Sequence, residues 1–134
     1  MKTISFTTAA FVIAAFMGCE GNTRQAYYLE NGTGDWVTVV HAHSVYVDGM
    51  DLDTVAIAAG ERQELGVENW LGGREQPDLP SAFIDTILVY NAAGQLCTKN
   101  WLLMSEWEIE SFEERKVPSQ WSHEYTFRVT DGDF

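Results

Sequence analysis

Imidazole binds metals and moves protons near neutral pH, so the three histidines come first. His41 and His43 stand two apart in Trp36–Val47 (WVTVVHAHSVYV), a run of β-branched and aromatic residues that reads as a strand. A spacing of two puts both rings on one face of it. His123 lies in a second alternating run. If the two strands were neighbours, the three rings could form a three-imidazole zinc site. The competing reading makes His123 a core histidine, because it falls in an apolar stripe, and leaves the other two partly exposed. No metal is expected; His41, His43 and His123 are the weak candidates.

The carboxylates come next. Asp48, Asp51 and Asp53 crowd one turn, and Asp131 and Asp133 another. Calcium takes oxygen ligands, but an EF-hand loop needs alternate positions and a closing Glu that are missing here. These read as solvated turns. Glu106, Glu108, Glu110, Glu113 and Glu114 form a carboxylate run. Glycoside hydrolysis needs two carboxyl groups flanking a cleft. On one exposed face they instead suit a sheet edge, where charge blocks edge-to-edge aggregation. No GxSxG, HExxH, phosphate-binding loop or CxxC occurs. No residue is assigned a catalytic role, no cofactor is expected, and the chain reads as a non-enzyme.

Trp36, Trp70, Trp101, Trp107 and Trp121 are many for this length. An exposed tryptophan beside carboxylates can stack on a sugar, whereas a buried one supplies core area. Trp121 sits in the apolar stripe and reads as core. Trp70 sits in the Gly- and Pro-rich stretch Glu68–Ala82 and is the one expected to touch a ligand. Cys97, in QLCTK, reads as a small buried thiol. It has no histidine nearby in sequence to activate it.

The elements that must position these residues are strands. Ala26–Glu30 is a first strand, closed by the turn Asn31–Asp35. Thr54–Ala58 and Arg62–Val67 look like a hairpin about Ala59-Gly60-Glu61. Phe83–Tyr90 (FIDTILVY) is apolar on both faces and suits a central strand covered from both sides. Asn91–Gly94 turns into Gln95–Thr98. Trp101–Lys116 is ambiguous: Ser105 and Glu108 could make a helix capping box, but alternation about Glu106–Ile109 favours a strand. Trp121–Thr130 (WSHEYTFRVT) alternates strictly, with Trp121, His123, Tyr125, Phe127 and Val129 on one face. About eight short strands and no clear helix predict an all-β, antiparallel β-sandwich of immunoglobulin-like kind.

The N-terminus, MKTISFTTAAFVIAAFMGC, has Lys2, an apolar run from Ala9 to Met17, and Gly18 directly before Cys19. That is the layout of a secretory signal, and the apolar run is shorter than the roughly 20 residues of a membrane span. The Gly-Cys junction resembles the lipobox of small bacterial lipoproteins, with Phe16 and Met17 where Leu and a small residue are usual. The resemblance implies a lipid on the Cys19 sulfur and cleavage before it. The alternative is a plain cleaved signal with Cys19 kept for a disulfide to Cys97. The patterns TVAIAAGERQEL, TILVYNAAGQL and YTFRVTDGDF are similar to uncharacterised β-sandwich lipoproteins of Bacteroidota, which implies a fold and an envelope location but no activity. The expected organisation is a signal peptide over 1–18, a flexible tether over 19–25 and a sandwich domain over 26–134. The expected setting is the cell envelope, at the outer membrane, with an envelope protein or a glycan as partner. The net charge of −12 argues against nucleic acid. It also leaves membrane attachment to the lipid rather than to charge.

Overall fold

The computed structural model describes residues 20–43 and 52–134. Cys19, Asp48 and Asp51 lie outside these. Seven strands are present among the described residues: β1 (Asn22–Asn31), β2 (Val37–His43), β3 (Asp53–Ile57), β4 (Arg62–Leu71), β5 (Ile84–Tyr90), β6 (Trp107–Arg115) and β7 (Gln120–Val129). They form two sheets, β4-β1-β7-β6 and β3-β2-β5. The inner faces meet in one core of Tyr27, Leu29, Val37, Val39, Ile57, Leu65, Phe83, Ile84, Ile87, Val89, Trp107, Tyr125, Phe127 and Val129. Alternation places these residues. Val37 and Val39 point in while Thr38 points out, and Tyr125, Phe127 and Val129 point in while Arg128 points out.

Aromatic rings tie the two layers together. Phe83 meets Tyr125 edge-on at 5.0 Å and Tyr27 at 5.9 Å. Within the larger sheet, Trp107 meets Tyr125 edge-on at 6.2 Å. Such geometries contribute about 0.5–1.5 kcal/mol each beyond the area they bury.

Several expectations are corrected. The tether does not reach residue 25: β1 begins at Asn22, and Thr23 and Gln25 are fully buried. The sheet is not wholly antiparallel, because β1 pairs with β7 in parallel from Asn22↔Gln120 to Asn31↔Val129. Both strands are long and carry matched inward rows, so the register that buries Tyr27 beside Tyr125 buries every other pair too.

Thr54–Val67 is not a hairpin. β3 pairs with β2, whereas β4 pairs with β1, so the Ala58–Glu61 turn crosses from one sheet to the other. Asn31 holds that crossing. Its backbone N–H donates to the Glu61 carbonyl at 2.9 Å, and its buried side-chain amide donates to the Ile57 carbonyl at 2.9 Å. Phe83–Tyr90 is not a central strand. Among the described strands β5 pairs with β2 alone and is an edge, with the outward Leu88 and Tyr90 half-buried. The return at Gln95–Thr98 is reduced to a Tyr90↔Leu96 bridge. The ambiguous Trp101–Lys116 segment is a 3₁₀ turn at Met104–Glu106 followed by strand β6.

Candidate functional site

The second sheet covers only part of the inner face of the four-stranded sheet. At the end where β1 starts, the segment between β4 and β5 closes the core, and polar side chains from β1 and β7 hold it down. Thr23 Oγ donates to the Gly72 carbonyl at 2.7 Å and accepts from the Arg74 amide at 2.8 Å. The Gln25 amide donates to the Asp78 carboxylate at 2.7 Å, and the Tyr125 hydroxyl donates to the Asp78 carbonyl at 2.7 Å. His123 Nε2 lies 2.7 Å from the Arg74 carbonyl.

These contacts form a ladder because parallel pairing sets Gln25 beside His123 and Thr23 beside Trp121. Arg74 also pairs with Asp78 at 3.0 Å, and its guanidinium lies over the Trp70 ring at 4.8 Å. Burial drives the Tyr125 phenol well above its ordinary range, so it stays a donor.

His123 is fully buried, as its apolar stripe implied. A carbonyl can only accept, so Nε2 carries the proton, and in the neutral ring Nδ1 accepts from Ser111 Oγ at 2.8 Å. A serine–histidine contact of this length is within reach of a nucleophile and its base. Here, however, the other ring nitrogen is spent on a main-chain carbonyl, and the ring stacks beside Trp121 at 6.2 Å with planes 11° apart. The pair fastens the edge strand β6 to the covering segment. Sequence inspection missed Ser111, whose only signal is its register opposite His123.

His41 and His43 do share a face, and both rings meet Tyr27 edge-on, at 6.2 Å and 5.1 Å. The Tyr27 hydroxyl lies 3.4 Å from His41 Nδ1. Burial pushes the His41 pKa down; Asp53 acts against this and His43 adds to it. His123 does not join them, since both its nitrogens are engaged elsewhere. Among the described residues no group of three His, Cys, Asp or Glu side chains could hold a metal ion. Asp133 accepts from the Thr130 amide at 2.7 Å, so it serves as a turn cap. The carboxylates of Glu108, Glu110, Glu113 and Glu114 are exposed along β6, which among the described strands pairs with β7 alone.

Trp70 belongs to β4 rather than to a loop. It is half-buried against the core. Its Nε1, with Gln25 Oε1 and His43 Nδ1, is a buried polar atom lacking a hydrogen-bond partner among the described residues. Trp36 is the tryptophan left most open, at 55% exposure, beside Asp35, whose carboxylate accepts from the Trp36 amide at 2.7 Å. Cys97 is half-buried, and burial raises its pKa, which keeps it a thiol. It lines a groove of about 280 Å³ with Val89, Lys99, Trp101 and Phe127. No protein-family model, curated protein or solved structure matches the chain, so the site rests on its own geometry.

Proposed function

We propose that the protein is a non-enzymatic envelope lipoprotein, joined to the outer membrane by a lipid on Cys19. Its sandwich acts there as a binding or structural module. The observation that carries this reading is the position of Cys97. Thr98, next to it, donates its amide to the Asp133 carbonyl at 2.7 Å, beyond the C-terminal end of β7. Cys97 also shares its groove with Phe127, which pairs with Leu29 near the far end of β1.

Asn22 and Leu29 are about 23 Å apart at about 3.3 Å per strand residue. Three residues of chain carry Cys19 at most about 11 Å from Asn22. A disulfide needs α-carbons within about 7 Å. These lengths disfavour an intrachain Cys19–Cys97 bond, which supports lipidation as the role of Cys19. Lipid chains contribute roughly 0.8 kcal/mol per buried methylene, so two or three hold the domain essentially permanently.

The immunoglobulin-like description is supported by the four-plus-three strand count and the face-to-face packing. The β1–β7 pairing in the larger sheet departs from that family's usual order. Replacing Cys19 by Ala is expected to abolish fatty-acid labelling and release the domain from membranes. A variant that remains labelled refutes the reading.

The second reading is a carbohydrate-binding module. Trp70 was its expected contact, and the exposed Trp36 ring beside Asp35 is the observation that favours it. Titrating a glycan panel against tryptophan fluorescence tests it, and a flat response to every glycan rejects it.

A further inference from the structure

We propose that the end of the sandwich where β1 begins is a bilayer-contacting face, seated in the head-group layer of the membrane that holds the Cys19 lipid. This rests on the lipid reading above. Strand pairing identifies the residues at that end. Asn22 lies opposite Leu71 on β4 and Gln120 on β7, which puts Leu71 on one side of β1 and the β6–β7 turn on the other. Leu71 is 78% exposed and Val117, in that turn, is 79% exposed. They are the two most exposed large hydrophobic residues among those described, and both flank the point where the chain arrives from Cys19.

The arriving chain is short and fastened. The Gly21 carbonyl accepts from the Gly72 amide at 3.2 Å, and the Asn22 amide donates to the Ser119 carbonyl at 3.1 Å. Gly21 has φ +67°, and a Cβ there would overlap the Ser119 carbonyl oxygen. Glu20 alone separates Cys19 from this fastened point. Three residues span at most about 11 Å, comparable with a head-group layer of roughly 5–8 Å on each side of the hydrocarbon core. A lipidated sulfur at the hydrocarbon boundary therefore lets Leu71 and Val117 reach head-group depth. Charge does not drive the seating, because Arg74, Arg115 and Lys116 share this end with Glu20, Glu75, Glu113 and Glu114. The long basic side chains can lie along apolar surface with their charges in water.

The test places a single thiol at Leu71, Val117 or Trp36 (Leu71→Cys, Val117→Cys, Trp36→Cys) in a Cys97→Ser background. Each is labelled with an environment-sensitive fluorophore. The full chain, isolated from membranes, is reconstituted into phosphatidylcholine vesicles carrying head-group nitroxide lipids. Labels at 71 and 117 are expected to shift to the blue and lose emission to the nitroxide, while the label at 36, at the opposite end of β1, stays water-exposed. Labels at 71 and 117 as wet as the one at 36 overturn the proposal, as does protection that persists without vesicles.

The mass of the N-terminal peptide from the same sample reports the lipid separately. Lipid present with wet labels overturns the face and leaves the anchor. Lipid absent overturns the anchor and the face that rests on it even where labels are quenched, since a bare Cys19 thiol would itself take the fluorophore. Lipid absent with wet labels overturns both.

Discussion

Thr23→Val removes one oxygen and almost no volume, and it isolates what the polar ladder contributes. Thr23 is fully buried, and its hydroxyl serves two backbone groups of the covering segment, the Gly72 carbonyl at 2.7 Å and the Arg74 amide at 2.8 Å. Valine keeps the shape and strands both. A buried backbone group left without a partner costs about 1–3 kcal/mol. Gly72 is half-buried and Arg74 is exposed, so water reaches part of the gap and the lower figure applies to each. The expected loss is about 2 kcal/mol. With a urea m-value of about 1.5 kcal/mol/M the midpoint falls by about 1.3 M, and Tm falls by roughly 6–10 °C. The assay is urea unfolding of the Cys19→Ala form, with Thr38→Val on the exposed face of β2 as the matched control, expected within about 0.5 kcal/mol. Hydrogen exchange at the Arg74 amide gives a local reading, since that proton loses its acceptor. An unchanged midpoint with an unchanged Arg74 amide would refute the claim that side chains from the sheet hold the segment down.

Burial lowers the His41 pKa, so the folded chain keeps the ring neutral while the unfolded chain takes a proton below about pH 6.5. The unfolded state then binds more protons, and stability present above about pH 6.5 is lost as pH falls toward the depressed value. Urea midpoints between pH 7.5 and 5 should show this slope, and His41→Gln should flatten it; an identical slope in the variant rejects the assignment. Gly66→Ala places a methyl against the His43 ring and 2.6 Å from Tyr27 Cε1, where β4 carries an extra residue opposite Tyr27 and Tyr28. Overpacking there should cost about 1–3 kcal/mol in thermal unfolding. Trp107→Phe removes the indole donor to the Trp101 carbonyl at 2.6 Å. The expected cost is about 1–2 kcal/mol, with faster proteolysis within 101–106 than in the parent.

The alternating runs could be read directly because each is a local pattern. β7 occupies nearly the residues its pattern assigned, and Tyr125, Phe127 and Val129 face the core as expected, whereas Trp121 is half-buried outside the core. Pairing could not be read the same way, because a strand's pattern carries the face it buries and not the neighbour it joins. Two runs separated by a Gly turn look alike whether the chain folds back within one sheet or crosses to the other. At Ala58–Glu61 the difference is made by Asn31, 27 or more residues upstream, whose side chain reaches the Ile57 carbonyl. Phe83–Tyr90 was misread for a related reason. Its outward Leu88 and Tyr90 suggested a covering layer, but half-buried residues on an edge strand need only a partial one.

The polar residues buried at the end where β1 starts explain the site. Thr23 and Gln25 lie where the sequence predicts a tether and His123 lies in an apolar stripe, and each bonds to the backbone or side chain of the segment that covers the core there. An irregular segment presents carbonyls and amides that a sheet would keep for its own ladder, so a core closed by such a segment needs donors and acceptors facing it. On this argument the histidine that first suggested metal chemistry is a structural consequence of how the core is closed. Among the described residues, the surfaces the fold leaves open include the Trp36 turn at one end of β1, Leu71 and Val117 at the other, and the groove beside Cys97.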